Sequence, residues 1–231
     1  MASDTPEARY AIYFVPAAET ELYQFGAAVL GYDAYTGRDT PSIRAVDPGW
    51  ADRVREPRVY GFHATLKPPF RLAAGVTAAE LQAELGVFAR SQSTIAAGRL
   101  VVRVLGSFVA LVLEANCAAI DTLAADCVQH FDRFRAPINE KERARRLSAP
   151  LTARQKIHLD RWGYPYVFGD FRFHMSLTGP LPVDDRALIL RRLTEEFASR
   201  LSAPHFVVDR IVIARQCGGA FRVVQSTLLG A

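Results

Sequence analysis

His63 and His174 each stand two positions before a hydroxyl residue, in His63-Ala64-Thr65-Leu66 and His174-Met175-Ser176-Leu177. An aromatic residue precedes each histidine, Phe62 or Phe173, and prolines follow at Pro68, Pro69 and Pro180. In a β-strand, positions i and i+2 share a face, so each pattern presents an imidazole beside a hydroxyl. Two such strands brought together would supply two proton-transfer groups and two hydroxyl donors. That set suits breaking a phosphoester bond without a metal.

Strand alternation divides each segment into two faces. Tyr60, Phe62, Ala64 and Leu66 oppose Gly61, His63, Thr65 and Lys67, and Phe171, Phe173, Met175 and Leu177 oppose Arg172, His174, Ser176 and Thr178. The polar faces carry imidazole, hydroxyl and cation without a carboxylate, which suits an anion. Either histidine alone could simply meet solvent on a one-sided antiparallel sheet. Recurrence of the same side-chain order argues for a shared site. Metal binding fits poorly, because His-x-His and His-x-x-x-His spacings are absent and neither strand holds Asp or Glu. No G-x-S-x-G elbow is present for serine-hydrolase chemistry.

The elements that must position these residues are legible around them. A strand is expected over residues 9–15, a helix over 19–30, then a long surface loop over 31–57, where Gly, Pro, Asp and Arg accumulate. The first histidine strand is expected near 59–66. Thr77 and Glu80 form a capping box that opens a helix to about Gln92. A hairpin follows over 100–114 about Gly106-Ser107, then a helix over 118–134. The second histidine strand, near 171–178, begins a similar series: a helix over 184–201 and a hairpin over 206–228 about Gly218-Gly219. His63 precedes Gly106 by 43 positions, and His174 precedes Gly218 by 44. Strand, helix and hairpin thus recur in the same order and spacing, as in a structural repeat.

Between the halves, residues 133–161 are strongly basic and read as two short helices around Pro150. Most of these charges read as a solvated helical face, Arg143, Arg145 and Arg146 among them. Arg135, beside the helix-ending Pro137, and Tyr166, on the approach to the second histidine strand, are the two expected to reach the cleft. For Tyr166, packing under a loop is an equal alternative.

Composition sets the outer limits. The 231 residues fit one domain of two lobes, and the balance of 50% apolar and 23% charged residues is that of a soluble globular protein. Met1 to Glu7 lacks the pattern of a secretion signal, and the longest apolar runs, such as Phe108 to Leu113, are too short to cross a bilayer. Cys117, Cys127 and Cys217 are odd in number and form no C-x-x-C pair, which points to a reduced cytoplasmic compartment and inert thiols. The net charge of +4 favours anionic ligands without establishing nucleic-acid binding.

The paired H-x-[ST]-L strands resemble the signature of the two-histidine phosphoesterase superfamily, which includes RNA ligase-like and cyclic phosphodiesterase proteins. The longer strings Tyr60-Gly-Phe-His-Ala-Thr-Leu-Lys-Pro-Pro-Phe70, Arg161-Trp-Gly-Tyr-Pro-Tyr-Val167 and Phe171-Arg-Phe-His-Met-Ser-Leu177 resemble a narrower branch of phosphonate-operon-associated proteins. The likeness runs from Arg9 to near the C-terminus. It implies an α+β fold, bilobal, with two pseudo-symmetric antiparallel sheets around a central cleft and helices outside. It also implies that His63 and His174 supply acid and base, and that Thr65 and Ser176 hold the phosphate oxygens.

Residue chemistry and resemblance together lead to an expected phosphodiesterase opening a small ribosyl or nucleotide cyclic phosphate, with no cofactor or metal. Lys67 and Arg172 are placed to offset phosphate charge. An RNA-end cyclic phosphodiesterase or ligase is the second reading, and a non-catalytic nucleotide sensor the third. The roles of the two histidines and the oligomeric state stay open.

Overall fold

The computed structural model describes residues 8–44, 47–201 and 205–230. Met1 to Glu7, read above for a leader, lies outside them. The fold is mixed α and β with antiparallel sheets. Its centre is one continuous sheet of seven strands, in the order β11-β10-β1-β4-β8-β7-β6. These strands are β1 (Arg9–Phe14), β4 (Ala64–Phe70), β6 (Leu100–Leu105), β7 (Phe108–Leu113), β8 (Met175–Ser176), β10 (Arg210–Gln216) and β11 (Arg222–Leu228). β2 (Tyr32–Asp33) pairs with β3 (Arg38–Asp39), and β5 (Ile95–Gly98) with β9 (Phe206–Val208).

The two sheets expected from the repeat are therefore joined edge to edge, with β4 hydrogen-bonded to β8 at the seam. The hairpins are exchanged. β6–β7, which follows the first histidine in sequence, pairs with the second histidine strand, β8. β10–β11, which follows the second, lies beside β1 on the side of the first. Each half of the sequence thus completes the sheet on the other half's side, which places both histidines at the middle.

Helix α3 (Ala78–Arg90) starts at the Thr77–Glu80 capping box and packs on β10 and β11. α4 (Ala118–His130) packs on β4 and continues into a 3₁₀ turn at Phe131–Phe134. α7 (Val183–Arg200) packs on β6 and β7, and α1 (Glu21–Leu30), capped by Thr20, packs near it. The basic middle segment forms α5 (Glu140–Leu147) and α6 (Ala153–Trp162), as its composition predicts. Among the described residues no helix is long and apolar enough to cross a membrane.

The expected loop over 31–57 is corrected: its second part is α2 (Trp50–Tyr60). Trp50 anchors this helix, 3% exposed, with its indole N–H donating to the Val29 carbonyl. Pro57 lies inside the helix and has no N–H to give to the Arg53 carbonyl. That carbonyl instead accepts from the Gly179 N–H at 2.6 Å, tying α2 to the exit of the second histidine strand.

Both histidine strands also differ from expectation in extent. Val59 and Tyr60 belong to α2, and β4 runs on through Pro68 and Pro69. Prolines are tolerated there because the ladder to β1 is irregular: Ile12 pairs with Lys67 but Tyr10 with Phe70. The second strand shortens to Met175 and Ser176.

Candidate active site

Gly61 ends α2 in a left-handed conformation (φ 73°), a turn that favours glycine, and aims the chain into β4. Phe62 then packs its ring onto Gly26 of α1, where a Cβ would lie 2.0 Å from the ring. With Phe62 fixed in the core, His63 emerges on the opposite face. Its Nδ1–H donates to the Gly61 carbonyl at 2.9 Å, and the Thr65 hydroxyl lies 3.1 Å from Nε2. Its ring stacks on Tyr13 of β1 at 3.8 Å between centroids.

His174 repeats the device. Phe173 is buried, and Nδ1–H of His174 donates to the Arg172 carbonyl at 2.9 Å. In both cases a backbone oxygen two residues earlier fixes Nδ1, which leaves Nε2 free of backbone hydrogen bonds among the described residues.

Ala64 pairs with Met175 across the antiparallel seam. Carried one residue either way, that register sets His63 opposite Ser176 and Thr65 opposite His174. By that register the four residues mark the corners of a small rectangle, with the histidines on its diagonal, each one residue before its strand. Diagonal neighbours in such a pair are about 7–8 Å apart. Burial lowers the His63 pKa from 6.5 to about 4, with the Gly61 bond opposing and nearby His174 adding to the shift. Burial also lowers the His174 pKa, opposed by its bond to the Arg172 carbonyl.

A cleft of about 680 Å³ opens over His174 and Thr65, a volume suited to a small ligand. Tyr164, Tyr166, Phe108 and Arg172 contribute to its walls, and His63 stands immediately behind Thr65. Asp170 is its one carboxylate among the lining residues, already accepting from Arg154 and Gln155. A larger groove of about 910 Å³ lies elsewhere, lined by Phe14, Leu100, Phe197 and His205, and holds neither patterned histidine. Of the other histidines, His130 pairs with Glu84 and His158 lies 3.5 Å from Asp170.

Arg172 and Tyr166, both named from the sequence, line the cleft, and Arg172 is exposed with no carboxylate partner among the described residues. Lys67 is not brought there. The ladder to β1 steps from Tyr13–Thr65 to Ile12–Lys67, so a bulge turns Lys67 to the face of the core residue Ile12. Only 1% exposed, Lys67 donates to the Val128 carbonyl at 2.9 Å and to Asp132 at 3.2 Å, and burial lowers its pKa to about 8. Arg135 is also engaged elsewhere: it donates to Asp132 at 2.8 Å and to the Arg161 carbonyl at 2.9 Å. Lys67, Asp132 and Arg135 fasten the end of α4 to β4 and α6.

Four residues were not singled out as site residues from the sequence: Tyr13 and Tyr60, whose rings lie 3.8 and 6.2 Å from that of His63, and Tyr164 and Arg146, which act electrostatically on Tyr13. Arg146, read as surface, sets its guanidinium 4.7 Å from the Tyr164 ring centroid. Arg143 and Arg145 are at the surface as read, the first paired with Asp160 and the second 3.7 Å from Glu142. Tyr164 and Tyr166 lay within a string already singled out, so the alternating tyrosines were the one available signal. Tyr13 carried none, because its partner lies 50 positions away.

A family model described as "Protein of unknown function (DUF1045)" matches residues 65–222. A protein of Janthinobacterium sp. (strain Marseille) named ribose 1,5-bisphosphate phosphokinase PhnN is 38% identical over 216 residues, covering 90% of this chain and 47% of its own length. One of the same name from Laribacter hongkongensis (strain HLHK9) is 34% identical over 221 residues, covering 93% and 50%. The chain spans about half the length of these curated relatives. Among solved structures, a conserved protein of unknown function, ATU0111, from Agrobacterium tumefaciens str. C58 aligns at TM-score 0.45 and 11% identity, covering 97% of this chain and 87% of its own. Usb1 from Kluyveromyces marxianus aligns at 0.35 and 10%, covering 95% and 98%.

Proposed function

The chain belongs to the DUF1045 family, and from that premise we propose that it is a metal-independent phosphodiesterase opening a small cyclic phosphate. The observation that carries this reading is the rectangle at the β4–β8 seam: two imidazoles at the entries to adjacent strands, each held by a carbonyl two residues earlier, beside two hydroxyls.

His63 is the general base. With Nδ1–H committed to Gly61 and its pKa held near 4, its Nε2 carries a free pair at neutral pH. It takes a proton from water as the water oxygen bonds to phosphorus. His174 is the general acid. It is the more solvent-exposed of the two, and both rings share the Nδ1–carbonyl bond, so the lesser burial of His174 is what favours its imidazolium. Burial lowers its pKa in the free protein; a bound phosphate anion raises it again, and Nε2–H then protonates the ring oxygen as the P–O bond breaks. One water is consumed and one phosphomonoester forms. Thr65 and Ser176 hold the phosphoryl oxygens, and Arg172 offsets their charge.

The names of the relatives favour the ribosyl form of the substrate. Opening a ribosyl cyclic phosphate yields a phosphorylated ribose, the class of compound those kinases are named for. The chain itself has no G-x-x-x-x-G-K-[ST] phosphate loop, so the kinase activity in that name has no such motif here. The RNA-end reading is weakened because Arg133, Arg135, Arg143 and Arg154 of the basic segment are paired with carboxylates.

The test is a panel of ribosyl cyclic phosphates, 2′,3′-cyclic nucleotides and RNA ends, assayed with and without EDTA. Ring opening of a ribosyl cyclic phosphate that persists in EDTA is expected. Loss of activity in EDTA with restoration by one divalent ion would overturn the mechanism.

A further inference from the structure

Around Tyr13, whose ring stacks on His63, two buried donors have no acceptor among the described residues. The Tyr13 hydroxyl makes no hydrogen bond among the described residues although Tyr13 is 1% exposed. Nε of Arg146 is also buried and unpartnered. Leaving a buried polar group unsatisfied is costly, so two neighbouring orphan donors point to an acceptor supplied from outside. The surroundings set the sign of its charge. Arg146 and Arg9 both act electrostatically on Tyr13, while Tyr60 and Tyr164 flank it with further phenols. The Glu142 carboxylate lies 3.9 Å from a terminal nitrogen of Arg146, at the other end of the guanidinium from its attachment.

Position relates this cluster to the reacting centre. Tyr13 is opposite Thr65 in the β1–β4 ladder, and Thr65 is next to β8. Tyr13 therefore stands one strand from Thr65 and two from His174, about 5 and 10 Å by strand spacing. That is the span of one sugar ring carrying a second substituent. Tyr164 links the two places, because it lines the cleft and also stacks under Arg146.

We propose that Arg146 and the Tyr13 hydroxyl, flanked by Tyr60 and Tyr164, form a second anion subsite that takes a phosphomonoester on the same sugar as the cyclic phosphate. The substrate is then a doubly phosphorylated sugar, with the cyclic diester at His63 and His174 and a phosphomonoester at Arg146. This assignment of substrate class rests on the phosphodiesterase reading, but the subsite as an anion site does not.

The experiment uses two turnover substrates and one binding probe. Ribose 1,2-cyclic phosphate with and without a 5-phosphate are compared by kcat/KM, and ribose 5-phosphate is titrated by calorimetry. Wild type is expected to prefer the 5-phosphorylated substrate. Arg146→Gln and Tyr13→Phe should each lower that preference roughly 10- to 100-fold, the range for loss of a charge-assisted hydrogen bond. Both should weaken ribose 5-phosphate similarly, while Arg145→Gln changes neither. Tyr13→Phe keeps the ring that stacks on His63, so it separates loss of the donor from loss of fold. If the two variants bind ribose 5-phosphate as wild type does, or wild type does not bind it, the subsite is overturned. If binding is lost in the variants but no cyclic phosphate is ever opened, the subsite stands and the hydrolase reading falls. If both cyclic phosphates are opened equally and Arg146→Gln alters neither, the hydrolase reading stands and the subsite falls.

Discussion

The two histidine strands carry the same side-chain order in different surroundings. β4 has neighbours on both sides over part of its length, and His63 is stacked on Tyr13 and bonded to Thr65. β8 is two residues long, and the Ser176 hydroxyl has no partner among the described residues. Burial consequently drives the His63 pKa to about 4, with His174 adding to the shift, while His174 is lowered by burial alone; in each case a backbone carbonyl opposes the change. A repeated motif thus gives two inequivalent groups, and inequivalence is what acid–base catalysis needs. The difference comes from the neighbours and not from the motif.

Removing either imidazole is the strongest way to break this comparison. His63→Ala and His174→Ala should each lower kcat roughly 10²–10⁴-fold, with the thermal transition retained. Near-wild-type turnover by either variant on a substrate that wild type cleaves would refute the two-histidine site. The leaving group sharpens the roles. On an aryl phosphodiester with a p-nitrophenolate leaving group, which needs no proton, His174→Ala should recover roughly tenfold or more relative to His63→Ala. Greater recovery by His63→Ala would exchange acid and base.

The pH profile is the next test. The proposed mechanism requires His63 neutral, which holds above about 4, and His174 protonated, which in the free protein holds below a pKa that is itself under 6.5. The kcat/KM optimum is therefore expected between those limits, on the mildly acidic side. An optimum at pH 8 or above would contradict the burial of both rings. Stability follows the same group: between its unfolded pKa of 6.5 and about 4, the unfolded chain binds the His63 proton and the folded one does not. The His63 contribution to stability should accordingly be lost as pH falls through that window.

The smallest effect concerns Lys67, which alternation placed beside His63 and the bulge turned away. Lys67→Met should cost about 1–2 kcal/mol of stability, since Asp132 keeps Arg135 as partner. The urea midpoint should fall while KM stays within a few-fold of wild type. A large KM effect without a stability change would return Lys67 to the cleft.

Much of this was legible from local chemistry. The Thr77–Glu80 box, the first hairpin and the Pro150-split helices depend on neighbours a few positions away, and they stand where the spacing sets them; the second hairpin does so only from Arg210, because Phe206–Val208 pairs with β5 in a separate sheet. The α2 helix was not legible, because its Pro57 reads as a breaker until the Arg53 carbonyl finds Gly179 in another element. Tyr13 and Arg146 were missed for the same reason: each gains its meaning from a residue distant in the chain.

By itself, then, the sequence determined the chemical inventory: two imidazoles with a hydroxyl two positions on, a buried aromatic before each, and a duplicated strand–helix–hairpin order. Periodicity and turn chemistry act over a few residues, so they suffice for that much. Only the tertiary structure decided which hairpin completes which side, which histidine is the more deeply buried, and that one bulged residue carries Lys67 into the core. Those outcomes depend on strand register and desolvation, which arise between segments and leave no local mark.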